Sequence, residues 1–405
     1  MPALSSAHAT ANAVHPAGPV DPADPAGPVD PAELTAVIAG IGACLPELVV
    51  DNDTVIARGA LRTDDTWIRT RTGIARRRHA EQGTSTGDLA VGAGRAALDS
   101  AGDHRPDLLI LATSTPDHPC PATAPAVAHR LGLGTIPAFD LAAVCSGFLY
   151  ALVTATALVR AGTCSAPLVI GADTYTTIVD PRDRETAPIF GDGAAAVLLR
   201  PGGRDAPGAV LTADLGADGS GSDLITVPGG GSRHPHGLPP PDPGSHHFRM
   251  RGREVYAHAV RRMTQSSRTV LERTGWPPDT LGAFIGHQAN QRILDAVAER
   301  LGVAPERRFG TIHHTGNTAA ASIPLVMADS TVHAAVRPGE RTLLTAFGGG
   351  LTWASVALNW PDSAPCSQAP PAGPDTAPLR TADLTRSHPW TTTAPASTPT
   401  STPAS

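Results

Sequence analysis

Four short stretches of the sequence carry side chains that could do chemistry, and the first of them centres on a cysteine. Cys145 lies in FDLAAVCSGFLYALVTA, between a strand-like apolar run and a longer helix-like apolar run. A thiol on the first turn of a helix faces free backbone N–H groups, so the pattern predicts a thiol pKa below the usual value of about 8.5. Small neighbours leave room for a substrate at the sulfur, although a buried packing cysteine fits the pattern equally well.

The other three stretches offer hydrogen-bond donors. His287, in GHQANQR, ends a predicted strand, where a neutral imidazole could donate or accept a proton. Asn317, in HHTGNTAAASIP, opens a helix of small residues, a place where Asn is ordinarily an N-cap. The glycines of AFGGGLTW, residues 346 to 353, allow the backbone to approach a ligand and to present an N–H group to an oxyanion. Each stretch alone has an ordinary structural explanation, and only the combination in this order is specific.

The elements that must position these residues follow a repeated pattern of short apolar strands and longer helices, typical of a mainly parallel sheet. The predicted strands are VIAGIGACL (37–45), LLILATS (108–114), PAFDL (137–141), PLVIGAD (167–173), AAAVLL (194–199), FIGHQ (284–288), RFGTIHH (308–314), RTLLTAFG (341–348) and TWASVAL (352–358). Helices are predicted after Ser85, near Cys145, across 252–274, over 289–301 and from about 317. The second set repeats the first, so Cys145 and Asn317 occupy matching strand ends, where ligands gather in α/β proteins.

The chain divides into two predicted halves between two low-complexity ends. Residues 1–34 contain PAGPVDPA twice, and residues 361–405 are rich in Pro, Thr and Ser. Such segments bury too little apolar area to offset their ordering entropy, so both ends are predicted to be disordered. The halves are predicted at 35–205, with Cys145, and at 206–360, with His287 and Asn317; an irregular loop, 229–247, interrupts the second half.

Composition excludes several classes of function. A net charge of -6 with 17% charged residues provides no broad basic field for nucleic acid. The N-terminus lacks the pattern of a signal peptide, and no apolar run reaches the roughly 18 residues of a membrane span, so we expect a cytoplasmic protein. The five cysteines form no CxxC pair. Histidines recur in HPH (234–236) and in HH at 246–247 and 313–314, but the first two groups lie in a predicted loop with no carboxylate or thiolate at ligand spacing. No metal site is therefore predicted.

Taken together, the four stretches resemble the β-ketoacyl-acyl-carrier-protein synthase III family, condensing enzymes of the thiolase fold. The resemblance covers about residues 36–360 and extends to TDDTWIRTRTGIARRR (63–78) and DPRDRETAPIFGDGAAAVL (180–198). It implies an α/β, thiolase-like fold in which two duplicated βαβαβ halves form a layered α-β-α-β-α core. It also implies a homodimeric acyltransferase that needs no metal or redox cofactor and uses acyl-CoA as a substrate.

The resemblance assigns roles to individual residues. Cys145 takes the acyl group from a thioester primer, and the backbone N–H groups of Cys145 and Gly349 hold the oxyanion. His287 and Asn317 stabilise the enolate that forms when malonyl on an acyl carrier protein loses carbon dioxide. The implied CoA and pantetheine contacts are Thr63, Trp67, Arg71, Arg184, Phe190, Gly252 and Arg253. The implied acyl-pocket residues are Cys120 and Phe347, and Arg292 is expected to face the acidic carrier protein.

Two positions depart from the family pattern. Cys120 stands where housekeeping members carry a large aromatic residue before Pro, which predicts room for a primer bulkier than acetyl. Arg253 stands where members usually carry Asn and, with the loop at 229–247, favours a role in polyketide or other specialised biosynthesis. Two alternatives stay open from the sequence: an acyltransferase that loads a starter unit without condensation, and an inactive subunit that binds carrier protein.

Overall fold

The computed structural model describes residues 33–102, 104–235, 242 and 244–371. The helices are α1 (Asn52–Gly59), α2 (Asp65–Thr72), α3 (Thr86–Ala101), α4 (Ala124–Arg130), α5 (Gly147–Arg160), α6 (Gly252–Thr274), α7 (Gln291–Leu301), α8 (Ile312–Thr315), α9 (Ser322–Met327) and α10 (Ser330–Ala335). The strands are β1 (Leu34–Cys44), β2 (Leu48–Asp51), β3 (Arg76–His79), β4 (Leu108–Ala112), β5 (Ala138–Leu141), β6 (Pro167–Thr174), β7 (Asp192–Gly203), β8 (Val210–Ala217), β9 (Ile225–Thr226), β10 (Arg249–Met250), β11 (Ala283–Gly286), β12 (Arg308–Phe309), β13 (Arg341–Gly348), β14 (Thr352–Asn359) and β15 (Cys366–Gln368).

Two sheets with the same internal order form the body of the protein. The first runs β15-β1-β7-β6-β4-β5, and the second, read from its far end, runs β8-β14-β13-β11-β12. In the first sheet β6, β4 and β5 are parallel, and the antiparallel strand β7 joins β6 to β1. In the second sheet β13, β11 and β12 are parallel, and the antiparallel strand β14 joins β13 to β8. Leaving β15 aside, the five strands of each half follow one order, which confirms the predicted duplication.

Helices fill the space between the sheets and cover their outer faces. The central helices α5 and α9 contact strands of both sheets. On the outside, α3 and α4 cover the first sheet, while α6, with α7 beside it, covers the second. One cluster of buried apolar residues lies between the sheets, and two more lie under the outer helices. This is the α-β-α-β-α layering that the family resemblance implies.

The sequence pattern located the buried strands better than the exposed or short ones. All of β6 is buried, because a strand covered on both faces reads as one apolar run. Strand β8 was missed because VLTADLGA is half exposed and mixes polar with apolar residues. The strand predicted at 308–314 was too long: only Arg308–Phe309 is extended. There the Gln288 side-chain oxygen accepts hydrogen bonds from the N–H groups of Thr311 and Ile312, which turns the chain into α8.

The C-terminal segment differs from the prediction of disorder. Strand β15 pairs in parallel with the outer edge of β1, with Cys366 opposite Gly42. The Ser100 hydroxyl on α3 donates to the carbonyl of Ala364 at 2.6 Å, which anchors the segment before the strand. The prediction was therefore wrong for residues 361–371, while 1–32 and 372–405 lie outside the described residues. The boundary predicted at 205/206 falls between β7 and β8.

Helix α3 lies unusually close to β1, and a glycine makes this possible. A Cβ atom at Gly42 would fall 2.1 Å from the backbone nitrogen of Ala97 and 2.4 Å from the carbonyl oxygen of Ala93. Both atoms belong to the backbone of α3, so neither can rotate away. Helix and strand must separate if a side chain is added at this position.

We predict that Gly42→Ala destabilises the protein by about 1–3 kcal/mol, because overpacking forces backbone shifts. The measurement is the melting temperature of the purified protein by calorimetry. Gly203→Ala at the end of β7 is the matched control, since a Cβ there meets nothing within 4 Å. Equal melting temperatures for the two variants would contradict the packing argument.

Candidate active site

Cys145 is presented by a tight turn between β5 and α5. It is the middle residue of a 3₁₀ turn, Val144–Ser146, directly before the helix. Val144 has a φ of 48°, in the left-handed region that a β-branched residue rarely adopts, at a cost of about 1–3 kcal/mol. The cysteine side chain is half-buried and lines a cleft between the two halves of the protein. The surrounding structure must hold this strained turn in place.

The hairpin of β13 and β14 holds the turn from the other half. The Thr352 hydroxyl donates to the carbonyl of Ala143 at 3.1 Å, and the Ser146 hydroxyl donates to the carbonyl of Thr352 at 3.2 Å. A Cβ atom at Gly348 would lie 2.8 Å from the Cys145 backbone nitrogen, so this position accepts only glycine. Gly348 thus allows a close approach to the backbone of Cys145, whereas the predicted approach of the glycine run to a ligand stays a prediction. Gly349, the next residue, stays a predicted oxyanion donor.

His287 follows the last residue of β11 and is fixed on both its backbone and its ring. Its N–H donates to the carbonyl of Thr345 at 2.8 Å, which continues the pairing with β13. Its Nδ1 lies 2.6 Å from the Ser322 hydroxyl oxygen, which also accepts the Gln288 N–H at 3.3 Å. Among the described residues Nδ1 is the one acceptor within reach of the Ser322 hydroxyl proton, so we assign the hydroxyl as the donor to Nδ1 and place the ring proton on Nε2. Burial lowers the pKa of His287 to about 3, so the imidazole is neutral.

Asn317 lies between α8 and a short 3₁₀ turn, Ala319–Ala321. Its side-chain oxygen accepts the N–H of Ala319 at 2.9 Å, a contact within the turn. Asn317 is not the N-cap that its place in the sequence suggested, because the N-cap residue of the 3₁₀ turn is Thr318. The Asn317 backbone pairs with the first half: the N–H donates to Ile189, and the carbonyl accepts from Gly191. With its side-chain oxygen engaged by Ala319, Asn317 has its amide N–H groups left as donors for the cleft.

One narrow cleft brings the three predicted residues together. About 40 Å³ in it is open to the centre of a water molecule. Its lining includes Cys145, His287, Asn317, Phe190, Phe248, Met250, Val255, Ala259 and Phe347. Phe190 and Phe347, both predicted substrate contacts, therefore lie beside the three polar side chains. The sequence placed these groups on separate segments, and the fold makes them neighbours.

The pKa of the Cys145 thiol is raised, contrary to the expectation from its place at a helix start. Burial is the main cause, and the nearby Asp173 carboxylate raises it further. The cysteine's own backbone N–H acts in the opposite direction but is outweighed. The cause is the apolar surroundings, since Cys145 packs against a cluster of aromatic and aliphatic side chains. In the resting protein the cleft holds a neutral thiol and a neutral imidazole.

Asp173, near the end of β6, is a structural centre of the site that the sequence reading missed. Three hydrogen bonds reach its carboxylate from the segment after β4, from the Thr113 hydroxyl, the Ser114 N–H and the Thr115 hydroxyl. A fourth comes from the N–H of Ala320 in the second half, at 3.0 Å. Burial raises the pKa of Asp173 to about 7, against the effect of these donors. An acidic residue closing the apolar run PLVIGAD was the available signal.

Apart from Phe190, the predicted CoA contacts lie outside the cleft. The Arg184 guanidinium carbon is 4.3 Å from the centre of the Trp67 ring, and that of Arg71 is 5.9 Å away. At 4.3 Å the two groups are in direct contact, so a base could enter between them only by displacing Arg184. Thr63 lies just before α2, and its hydroxyl is buried without a hydrogen-bond partner in the described structure.

The remaining predicted residues lie near the entrance or away from it. Gly252 and Arg253 are exposed and begin α6, whose residues Val255 and Ala259 line the cleft. Arg292, on α7, is exposed, and its guanidinium carbon lies 5.9 Å from the ring centre of Tyr256. Cys120 is exposed and does not line the cleft of its own chain.

Neither a candidate metal site nor a membrane-spanning helix occurs in the part of the chain that the structure describes. Within 33–371, apart from the undescribed positions, no group of three or more His, Cys, Asp or Glu side chains is placed to hold a metal ion. In the same part of the chain, every helix is too short or too polar to cross a bilayer.

We predict that Ser322→Ala changes the tautomer of His287, because the hydroxyl donor at Nδ1 is lost. The ring proton should lie on Nε2 in the unmodified protein and be shared between the two nitrogens in the variant. The ¹⁵N chemical shifts of selectively labelled histidine measure this directly. Ser266→Ala on α6, also a buried serine in a helix, is the control. An unchanged Nε2–H tautomer in Ser322→Ala would refute the assignment.

A second prediction concerns the pH dependence of stability through Asp173. Between about pH 4 and pH 7 an unfolded chain carries this group ionised, whereas the folded protein, with its pKa raised to about 7, still binds a proton. The contribution of Asp173 to stability is therefore complete below pH 4 and decreases as pH rises to 7. The advantage in melting temperature of the unmodified protein over Asp173→Asn should shrink across this window. Exposed Asp279→Asn is the control, and a difference that grows with pH would contradict the sign.

Comparisons with known proteins agree with the geometry of the site. The family model described as 3-oxoacyl-acyl-carrier-protein synthase III matches residues 139–219. The model of the C-terminal part of the same family matches residues 271–360. A curated relative, β-ketoacyl-acyl-carrier-protein synthase III 5 of Streptomyces coelicolor, is 54% identical over 326 residues, which cover 80% of this chain and 97% of that protein.

Solved structures show the same similarity. The crystal structure of 3-oxoacyl-(acyl carrier protein) synthase III from Pseudomonas aeruginosa has a TM-score of 0.76 and 45% identity, with 82% of this chain and 100% of that chain covered. The priming β-ketosynthase of the R1128 polyketide biosynthetic pathway has a TM-score of 0.74 and 32% identity, with 81% and 97% covered. The chain therefore belongs to the β-ketoacyl-acyl-carrier-protein synthase III family of thiolase-fold acyltransferases.

Proposed function

We propose that this protein condenses an acyl thioester primer, held on Cys145, with malonyl on an acyl carrier protein. The observation that carries the proposal is the cleft itself, in which a thiol, a neutral imidazole and a carboxamide meet. The thiol is a nucleophile that can hold an acyl group, and the other two groups are neutral donors that can stabilise an oxyanion. No member of this set introduces a negative charge.

In the first half-reaction the sulfur of Cys145 attacks the carbonyl carbon of an acyl-CoA. The tetrahedral oxyanion would be held by the backbone N–H groups of Cys145 and Gly349. When the intermediate collapses, the bond to the CoA sulfur breaks, and the proton lost by Cys145 ends on the CoA thiol. The raised pKa of Cys145 means that the thiol must lose its proton during this step rather than before it.

In the second half-reaction malonyl on the carrier protein loses carbon dioxide. The electron pair of the broken bond forms an enolate, whose oxygen would accept hydrogen bonds from His287 Nε2–H and the Asn317 amide. The enolate carbon then attacks the thioester carbon, and the Cys145 sulfur leaves and takes up a proton. The product is a 3-oxoacyl group on the carrier protein.

The neutral state of both donors suits this second step. Burial keeps His287 neutral, so it can donate from Nε2 without pairing with the malonyl carboxylate. Asn at position 317 donates from its amide, whereas Asp would place a negative charge beside the developing enolate. This pairing supports condensation over a simple transfer of a starter unit, which has no enolate to stabilise.

Substrates would reach the cleft past an arginine-rich entrance. We assign CoA to Thr63, Trp67, Arg71 and Arg184, with Phe190, Gly252 and Arg253 along the pantetheine. CoA enters as a substrate, and the proposed chemistry needs no metal or organic cofactor. Arg292 is exposed on α7, where it can attract an acidic carrier protein, and such attraction weakens with salt.

A homodimer is part of the proposal. Strand β5 ends the first sheet with an open edge, and its Phe139 is 38% exposed. An open strand edge with an exposed aromatic residue is suited to pairing with a second copy. The exposed Cys120 would then be free to face the pocket of the partner.

We place the enzyme in the cytoplasm, at the start of polyketide or specialised fatty acyl biosynthesis. The similarity to a priming β-ketosynthase of a polyketide pathway supports this assignment. The departure from the family pattern at Arg253 supports this assignment further, because an Arg in place of the usual Asn at the entrance suits a different acyl donor. Housekeeping fatty acid initiation would not require that change.

The test is release of labelled carbon dioxide from malonyl-carrier protein in the presence of an acyl donor. We predict that Asn317→Asp lowers condensation about 100-fold or more while acylation of Cys145 continues, because an enolate donor is replaced by a charge. Gln82→Glu, the same chemical change at an exposed position, is the control and should retain activity.

Two outcomes would favour the alternatives. Acylation of Cys145 followed by transfer to another carrier protein, with no carbon dioxide released, would indicate a starter-unit acyltransferase. Failure of every acyl thioester to acylate Cys145 would indicate an inactive carrier-binding subunit.

A further inference from the structure

Arg77, on β3, is a buried arginine that the proposed chemistry does not use. It is 0% exposed, and burial lowers the pKa of its guanidinium to about 10, which leaves the group charged at neutral pH. A buried charge is costly unless hydrogen bonds satisfy it. The oxygens that accept hydrogen bonds from Arg77 are therefore held firmly against it.

The hydrogen bonds of Arg77 join two separate segments of the first half. On one side, Nη1 donates to the carbonyl of Val50 at 3.3 Å, and Nη2 donates to the side-chain oxygen of Asn52 at 2.7 Å. On the other side, Nη2 also donates to the carbonyl of Pro188 at 2.5 Å. Arg77 thereby ties β2 and the start of α1 to the segment that leads into β7.

Asn52 extends this network to a carboxylate on α2. Its side-chain amide donates to Asp65 Oδ1 at 2.8 Å and to the carbonyl of Ile74 at 2.9 Å. Asn52 is itself 0% exposed, so its position is set by these partners and by Arg77. Because two partners remain if the guanidinium is removed, the contact between α1 and α2 does not depend on Arg77 alone.

The segment held at Pro188 is the one that pairs with Asn317. The N–H of Asn317 donates to the carbonyl of Ile189 at 2.9 Å, and the N–H of Gly191 donates to the carbonyl of Asn317 at 3.0 Å. These two hydrogen bonds form an isolated parallel bridge between the two halves of the protein. The backbone of Asn317 is therefore fixed by a segment that Pro188 directly precedes.

The side chain of Arg77 also packs against the two glycines that flank this bridge. A Cβ atom at Gly191 would lie 3.1 Å from the Arg77 Cβ, and one at Gly316 would lie 3.0 Å from it. Gly316 directly precedes Asn317 in the chain. Arg77 therefore contacts both strands of the bridge, in addition to its hydrogen bond at Pro188.

We propose that Arg77 is a positioning residue, which holds residues 188–191 in place so that Asn317 presents its amide to the cleft. The proposal rests on the proposed function, in which that amide stabilises the enolate. Arg77 does not line the cleft and does not touch the reacting atoms. Cys145 lies on a different turn, which the hairpin of β13 and β14 holds. Loss of Arg77 should therefore impair the enolate step more than acylation of Cys145.

The experiment measures the two half-reactions separately in the full chain. Acylation of Cys145 is followed by intact-mass spectrometry with acetyl-CoA or isobutyryl-CoA at saturation, whichever reacts faster with the unmodified protein. Condensation is then followed on the acylated protein by release of labelled carbon dioxide from saturating malonyl-carrier protein. In Arg77→Met we expect condensation to fall about tenfold or more and acylation to fall less than about threefold, because a displaced donor no longer meets the enolate.

Two further variants make the comparison specific. Arg77→Lys keeps the charge, but one ammonium cannot reproduce the planar fork that donates to both Asn52 and Pro188, so the same selective loss is expected there. This variant decides the question if Arg77→Met does not fold. Arg78→Met is the matched control, since Arg78 is the next residue of β3 and donates to the carbonyls of Pro46 and Glu47 instead. Both half-reactions should be nearly unchanged in Arg78→Met.

The side-chain amide of Asn317 provides a second readout that does not depend on activity. Selective ¹⁵N labelling of asparagine gives a simple spectrum, because the chain contains only Asn12, Asn52, Asn290, Asn317 and Asn359. The Asn317 signal is assigned by its absence from Asn317→Asp. It should shift in Arg77→Met and Arg77→Lys and stay in place in Arg78→Met.

The outcomes separate this proposal from the proposed function. An equal loss of both half-reactions, or an unchanged Asn317 signal, would show that Arg77 does not position the amide and would leave the proposed function intact. If the unmodified protein becomes acylated but releases no carbon dioxide, the proposed function is wrong, and with it the role of Arg77 in condensation. A selective loss of condensation together with a shifted Asn317 signal would support the proposal.

Discussion

The site depends on the hydrogen bonds that the buried carboxylate of Asp173 accepts. The carboxylate lies at the end of a strand where the two halves of the protein meet, and it accepts hydrogen bonds from both of them. Through Ala320 it fixes the turn that follows Asn317, and it also lies close enough to Cys145 to raise the pKa of the thiol. Burial of an acidic group is costly unless its hydrogen bonds are satisfied, so the donors around Asp173 must remain in place. The same contacts that satisfy the carboxylate thereby fix the turn after Asn317 against the segment that follows β4.

Around this frame the reactive groups are neutral. Burial raises the pKa of Cys145 and lowers that of His287, so neither is charged in the resting protein. Reactions in which negative charge develops on an oxygen are favoured by prearranged neutral donors, and neither His287 nor Asn317 brings a negative charge of its own. Ser322 lies within hydrogen-bond distance of Nδ1 of His287, and the N–H of Ala319 donates to the side-chain oxygen of Asn317, which leaves Nε2 and the amide nitrogen without these partners.

Apolar and charged groups occupy different parts of the site. Aromatic rings pack against the sulfur inside the cleft, whereas Arg71, Arg184 and Trp67 lie outside it. The two arginines are exposed and Trp67 is half-buried, and Arg184 must move if a base is to stack on Trp67. The rings inside the cleft are buried and held by backbone contacts.

The sequence by itself determined the duplicated α/β architecture and the family, because buried strands read as apolar runs and the motifs around Cys145, His287 and Asn317 are contiguous. The same motifs named these three residues as candidates for the chemistry. It did not reveal β8 or β15, since a half-exposed strand and a short edge strand carry little apolar signal. Only the tertiary structure decided the pKa of Cys145, because burial by distant residues outweighs the local helix start. It alone brought Tyr175, Phe190 and Phe248 together, because contacts among side chains far apart in sequence leave no local pattern.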